Sequence, residues 1–150
     1  MQDERPILLI EDEQNSALTF RRILNASACM CPLIHAQDKE GALLFLQERT
    51  PKPRLIVMNM DTPSLSGMEF LEGVKQDPTL CGVPVVGLAT DRDPAVVYRC
   101  FALGIAGYIV KADQQADFAS QVAVILDYWQ LNRVPLTTLL DDCAPLTRSY

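Results

Sequence analysis

Two kinds of hydrophobic pattern alternate along the chain. Pro6–Ile10 (PILLI), Leu55–Met60 (LIVMNM) and Val83–Ala89 (VPVVGLA) are nearly unbroken apolar runs, the signature of strands buried on both faces. Cys31–Ala36 and Tyr108–Val110 are shorter strand-like runs. Between them apolar residues recur at steps of three and four, as an amphipathic helix requires. Gln14–Asn25 carries Ala17, Leu18, Phe20, Ile23 and Leu24; Lys39–Glu48 carries Ala42, Leu43, Phe45 and Leu46; Met68–Lys75 carries Phe70, Leu71 and Val74. Asp93-Pro94 predicts a helix start, with an aspartate cap and proline in the first turn. That helix runs to Leu103 and is closed by Gly104. The last helix spans Ala116–Leu131, with Phe118, Val122, Ile125 and Trp129 on one side.

Five apolar strands alternating with five helices predict an α/β fold: a five-stranded parallel sheet, doubly wound, with helices on both faces. In such sheets, sites form beyond the carboxyl ends of the strands. The residues there are Glu11, Asp12, Asn59, Asp61, Ala89, Thr90 and Lys111. Pro51 and Pro53 end the second helix, and Leu131–Tyr150 lies beyond the repeating pattern.

Composition narrows the function. The 150 residues suit one domain, and 49% apolar with 21% charged is enough to fill one core. Net charge is −6, which argues against a nucleic-acid surface, since phosphate neutralisation needs a basic face. The uncharged stretches Pro78–Thr90 and Cys100–Val110 are shorter than the roughly 18–20 residues of a membrane span. The charged start, MQDERP, lacks the apolar core of a secretory signal. A cytoplasmic protein with no membrane partner is expected. The five cysteines contain no C-x-x-C pair, so a zinc site is not expected, and Cys100 reads as a small core residue. His35, the sole histidine, reads as a structural, hydrogen-bonded group with no catalytic partner.

The strand-end set resembles the receiver domain of two-component response regulators, the CheY-like branch of the flavodoxin-like architecture. The resemblance covers residues 5–130 and leaves 131–150 as a C-terminal extension. Glu11-Asp12 matches the family's acidic pair after the first strand, Tyr108 its aromatic on the fifth, and Lys111 its lysine. The family places a proline four residues after the phosphate-accepting aspartate and a glycine four further on. Pro63 and Gly67 stand at those offsets from position 59 and not from Asp61. The resemblance also implies that the acidic pair, position 59 and the Asp61 carbonyl hold Mg²⁺. It implies further that a histidine kinase supplies the phosphoryl group, and that a Thr or Ser after the fourth strand reads it.

Three positions depart from that pattern. Asn59 stands where the acceptor aspartate should be, and an amide lacks the localised negative charge that attacks phosphorus. Ala89 stands at the hydroxyl switch; Thr90 follows it, but adjacent strand residues face opposite sides. Ala112 follows Lys111 where many members have proline. The expectation is an atypical, non-catalytic receiver that acts by protein contact without phosphorylation, with Mg²⁺ binding weakened or lost. Asp61 as a substitute acceptor, or an inactivated variant of an ordinary receiver, are the alternatives. By the resemblance Tyr108 and Lys111 belong with the switch and readout residues; a fixed ion pair of Lys111 with Glu11 or Asp12, holding one conformation, is a further possibility. A phosphatase would need an aspartate at position 59, and a nucleotide or flavin binder would need a glycine-rich turn after Ile10; neither is present.

KQDPTLCGVPVVGLAT and DYWQLNRVPL are similar to stand-alone regulators that accompany bacterial and cyanobacterial phytochromes. That similarity implies a sensor histidine kinase, phytochrome-type included, or another signalling protein as partner. A homodimer is expected, through Tyr98, Arg99, Asp127 and Tyr128 or through an arm carrying Val134, Leu136, Leu139 and Leu140.

Overall fold

The computed structural model describes residues 4–27, 31–48, 52–61 and 66–134. Strands β1 (Ile7–Ile10), β2 (Leu33–Ala36), β3 (Leu55–Asn59), β4 (Val85–Ala89) and β5 (Gly107–Val110) alternate with helices α1 (Gln14–Ala26), α2 (Lys39–Glu48), α3 (Gly67–Gln76), α4 (Pro94–Ala102) and α5 (Gln115–Leu131). All neighbouring strands are parallel, in the order β2-β1-β3-β4-β5. The predicted elements are all present, with ends within about two residues. β4 starts at Val85 and not Val83, because Pro84 has no N–H for a ladder; only its carbonyl pairs, accepting from Ile56 N at 3.0 Å.

Alternation along each strand splits the core into two layers. Leu8, Ile10, Ile56, Met58 and Val85 pack against residues of α2, α3 and α4, including Ala42, Leu46, Leu71 and Cys100. Ile7, Leu9, Leu55, Val57, Val86 and Leu88 pack against Phe20 and Leu24 of α1 and Phe118, Val122 and Leu126 of α5. Phe20 and Phe118 meet edge to face, centroids 6.1 Å apart. β1 and β3 are central, and every residue of each is buried, which is why both read as unbroken apolar runs.

The helix ends follow the sequence signals. Asp93 caps α4, its side chain accepting from Ala95 N at 2.9 Å, with Pro94 in the first turn. Gly104 closes that helix at φ +96°, where a side chain would be strained. Two buried arginines sit at the amino ends of β1 and β3. Arg54 donates to the Trp129 carbonyl and Arg5 to the Val134 carbonyl, tying the end of α5 down. Val134 is the last described residue; the expected arm residues Leu136, Leu139 and Leu140 lie outside the described part. No helix among the described residues is long and apolar enough to cross a membrane.

Candidate functional site

The chain steps one way across the sheet from β1 to β2 and the other way from β2 to β3, so a crevice opens at the carboxyl ends of the neighbouring strands β1 and β3. Glu11 follows β1 and is completely buried; Asn59 ends β3 and is 8% exposed. Asn59 is in phase with Leu55 and Val57, so its side chain emerges on the face covered by α1 and α5. There Asn59 Nδ2 donates to Glu11 Oε1 at 2.8 Å. Glu13 N donates to the same oxygen at 3.1 Å, while Asn59 Oδ1 accepts from Asp61 N at 2.9 Å. The amide thus uses both its ends, one on each side of the crevice. His35 is structural, as expected: its Nε2 lies 2.6 Å from the Glu11 carbonyl, an arrangement that needs the proton on Nε2.

Burial raises the Glu11 pKa above its usual value. The bonds from Asn59 and Glu13 and the charge of Lys111 oppose that shift, and neighbouring Asp12 adds to it. Glu11 Oε2 has no hydrogen-bond partner, a buried lone-pair oxygen left open. Asp12 is exposed at the rim of the crevice.

Lys111 is held by groups at α1 and α5. Its Nζ donates to Ser16 Oγ at 3.0 Å, lies 3.6 Å from Glu13 Oε2, and sits 4.9 Å above the Phe118 ring. The fixed pair with Glu11 or Asp12, one of the possibilities the sequence leaves open, is not made. Glu13 is the first acid at the rim of α1, and Ser16 is the small polar residue on that helix's buried side, so a lysine leaning along Phe118 meets them first. Its backbone is clamped by Gln121 of α5, which donates to the Val110 carbonyl at 2.8 Å and accepts from Ala112 N at 3.0 Å. This side chain fixes the segment after Lys111 where Ala112 replaces a proline. Ser16, Glu13 and Gln121 were not singled out from the sequence. Ser16 breaks the apolar stripe of α1 and could have been noticed; Gln121 carries no signal.

At the end of β4, Ala89 is 1% exposed and has no polar atom to offer from its side chain. Thr90 takes part through its backbone: its N–H donates to Asp61 Oδ2 at 2.8 Å. Thr90 also lines an open pocket of about 280 Å³ with Glu13, Ser16, Lys111, Asp113 and Gln115, so it shares the lysine's side of the crevice. Tyr108 packs partly against the core and donates its hydroxyl to the Asp91 carbonyl at 2.6 Å. Burial raises its pKa, and the nearby Asp91, Cys100, Asp61 and Asp93 raise it further.

The donor set fits a divalent metal poorly as it stands. Mg²⁺ takes oxygen ligands and favours carboxylates. Here the Asn59 group turned toward Glu11 is an N–H donor with no lone pair to give, and one Glu11 oxygen is already occupied. Among the described residues no three His, Cys, Asp or Glu side chains are grouped to hold an ion. The open Glu11 Oε2 and the exposed Asp12 carboxylate are the acidic side-chain oxygens of the matched pair that remain available.

Comparison with known proteins adds the context. Residues 7–123 match the family described as the response regulator receiver domain. Response regulator Rcp1 of Synechocystis sp. (strain PCC 6803) is 31% identical over 128 residues, covering 82% of this chain and 87% of Rcp1. The crystal structure of the Mn²⁺-bound form of Rcp1 superposes with a TM-score of 0.82 at 29% identity, covering 87% of this chain and 99% of that one. The phosphorylated cyanobacterial phytochrome response regulator RcpA gives the same TM-score at 24% identity, over 89% and 99% of the two chains, a likeness of fold.

Proposed function

The chain belongs to the response regulator receiver family, and on that premise we propose that it is an atypical member of two-component signalling that acts by protein contact without taking a phosphoryl group. The observation that carries this is the Asn59 amide bonded to Glu11 Oε1 at 2.8 Å. The position that should attack phosphorus holds a group with no anionic oxygen, and its nitrogen lone pair is delocalised into the carbonyl. Ala89 supports the reading, since the hydroxyl that would grip a phosphate oxygen is missing. Lys111 supports it too, because Ser16, Glu13 and Phe118 already engage its ammonium.

On this reading Mg²⁺ binds weakly, through Glu11 Oε2, Asp12 and the Asp61 carbonyl. The receiver unit is residues 5–130 and the extension 131–150. The partner is a sensor histidine kinase, phytochrome-type by analogy with RcpA, engaged without transfer, or another signalling protein. The chain pairs with a second copy, and exposed Tyr98 and Phe101 on α4 with Val124, Tyr128 and Leu131 on α5 favour that pairing. It resides in the cytoplasm and does no catalysis of its own.

Mass spectrometry and phosphorus NMR after treatment with acetyl phosphate and Mg²⁺ test the central statement. No adduct is expected on this chain. A stoichiometric acid-labile phosphoryl group, on Asp61 or elsewhere, overturns it. Light scattering on the full chain and on a version ending near residue 130 tests the pairing, and monomer masses for both would remove it.

A further inference from the structure

Asp61 makes a bond that the silence of Asn59 does not require. Its Oδ2 accepts the Thr90 N–H at 2.8 Å, joining the turn after β3 to the end of β4. The turn is itself anchored in the crevice, because Asp61 N donates to Asn59 Oδ1. One residue beyond Thr90, the Asp91 carbonyl accepts the Tyr108 hydroxyl at 2.6 Å. The same segment then runs into α4 through two further carboxylate bonds, Asp93 N to Asp91 Oδ1 and Ala95 N to Asp93 Oδ1, both 2.9 Å. An unbroken series of bonds therefore leads from Asn59 through Asp61 and Thr90–Asp91 to Tyr108 on β5 and the first turn of α4. Beside it lies an open cavity of about 220 Å³ lined by Met60, Asp61, Ala89, Asp91, Val96 and Tyr108, among others. The segment has space next to it and is held by bonds and not by close packing.

We infer that Asp61 is a resident anion: its carboxylate holds the Thr90 N–H at the end of β4, where other receivers read their phosphoryl group, and so pins the β4–α4 segment and Tyr108 in one arrangement. The inference rests on the reading that Asn59 accepts no phosphate. A carboxylate is the right chemistry for the task, since a bond from an amide N–H to an ionised oxygen is roughly twice as strong as one between neutral groups. The anion sits on the side chain of the turn itself, so the pin is present without kinase, metal or phosphodonor.

The test is amide hydrogen exchange and tyrosine-ring NMR on the full chain, comparing the parent with Asp61→Ala and Asp61→Asn. Loss of a charge-assisted bond predicts that Thr90 N–H exchange rises about tenfold in Asp61→Ala. The Tyr108 ring signals should shift, and the Leu9 and Val57 amides of the sheet should keep their protection. Asp61→Asn keeps an acceptor oxygen without the charge, so its Thr90 exchange should fall between the two; it also serves if the alanine variant does not fold. Thr90 exchange and Tyr108 signals equal to the parent in both variants would overturn the inference. Acetyl phosphate treatment of the parent, read by mass, runs alongside: an adduct there refutes the silence of Asn59, whereas unchanged exchange in the variants refutes the pin alone.

Discussion

Converting Asn59 to aspartate tests the crevice most directly. In Asn59→Asp the Nδ2 donor, 2.8 Å from Glu11 Oε1, becomes a carboxylate oxygen facing another carboxylate between two buried side chains. With an effective dielectric near 20, two unit charges at that separation repel by about 6 kcal/mol. The folded protein can escape by keeping a proton on the pair. Holding a proton at pH 7.5 on an acid with an ordinary pKa of 4.5 costs about 4 kcal/mol, at about 1.36 kcal/mol per pH unit. The cheaper route sets the ceiling, so the variant should lose about 3–4 kcal/mol at pH 7.5 without divalent metal, equivalent to roughly 10 °C in melting temperature. Its folded state then holds more protons than its unfolded state, so the deficit must shrink as pH falls toward 5. Mg²⁺, by supplying the positive charge that the amide N–H mimicked, should restore much of the loss and allow acetyl phosphate to react. Thermal melts in EDTA and in Mg²⁺ at pH 5.5 and 7.5, with mass spectrometry, read all of these. An Asn59→Asp protein that melts with the parent in EDTA and ignores Mg²⁺ would show that the Asn59–Glu11 contact is not what stabilises the crevice.

Three further outcomes follow from other contacts. Because burial raises the Glu11 pKa, its contribution to stability is complete below about pH 4.5 and is lost as pH rises through the folded value. Glu11→Gln should remove that slope, and urea midpoints at pH 5 and pH 8 that change alike in parent and variant would contradict it. A Cβ on Gly67 would lie 2.7 Å from Met60 Cε, 2.9 Å from Sδ and 3.2 Å from Cα. Gly67→Ala should therefore cost about 1–3 kcal/mol, and a denaturant double-mutant cycle with Met60→Ala should recover part of it. Arg54 is 3% exposed and donates to the Trp129 carbonyl and Cys31 Sγ. Arg54→Met should cost about 2–4 kcal/mol through unpaired buried groups and redden Trp129 emission as the end of α5 loosens; unchanged emission would mean Arg54 does not anchor it.

The sheet was legible because parallel strands buried on both faces must be continuous apolar runs, and β1 and β3 are. The crevice was legible because the strand-end rule and the Pro63 and Gly67 offsets agree on position 59, and the folded chain puts that residue against Glu11. What stayed hidden depends on long or distant side chains. Lys111 has four rotatable bonds, and sequence spacing cannot say whether it leans toward Glu11 or along Phe118 to Glu13 and Ser16. Gln121 clamps Val110 and Ala112 from eleven and nine residues away, a contact set by how α5 docks. The Asp61–Thr90 bond depends on the conformation of a turn, to which no periodicity applies. Strand alternation speaks only to the Thr90 side chain, whereas the group that engages Asp61 is its backbone N–H.

These particulars explain why asparagine, and not any uncharged residue, suits position 59. Its amide donates to Glu11 and accepts from Asp61 N, so it satisfies an acid on one strand and a backbone donor on the other. An aspartate could do only the second without a metal, and an alanine could do neither, leaving Glu11 with the Glu13 N–H alone and Asp61 N without its acceptor. Ala89 follows the same logic. It is almost wholly buried, and a hydroxyl there would have to find a hydrogen-bond partner. Lys111, the third residue through which other receivers read phosphate, has its charge answered by Glu13, its hydrogen bond by Ser16 and its stem by the Phe118 ring. The acceptor and switch positions carry neither an anionic oxygen nor a hydroxyl, and the lysine is already engaged; what remains for a cation is Glu11 Oε2, the one buried side-chain nitrogen or oxygen left open among the described residues, with the exposed Asp12 carboxylate beside it. The proposed absence of phosphoryl transfer therefore draws on three residues and not on position 59 alone: the Asn59 amide, the missing hydroxyl at Ala89 and the engaged Lys111 ammonium.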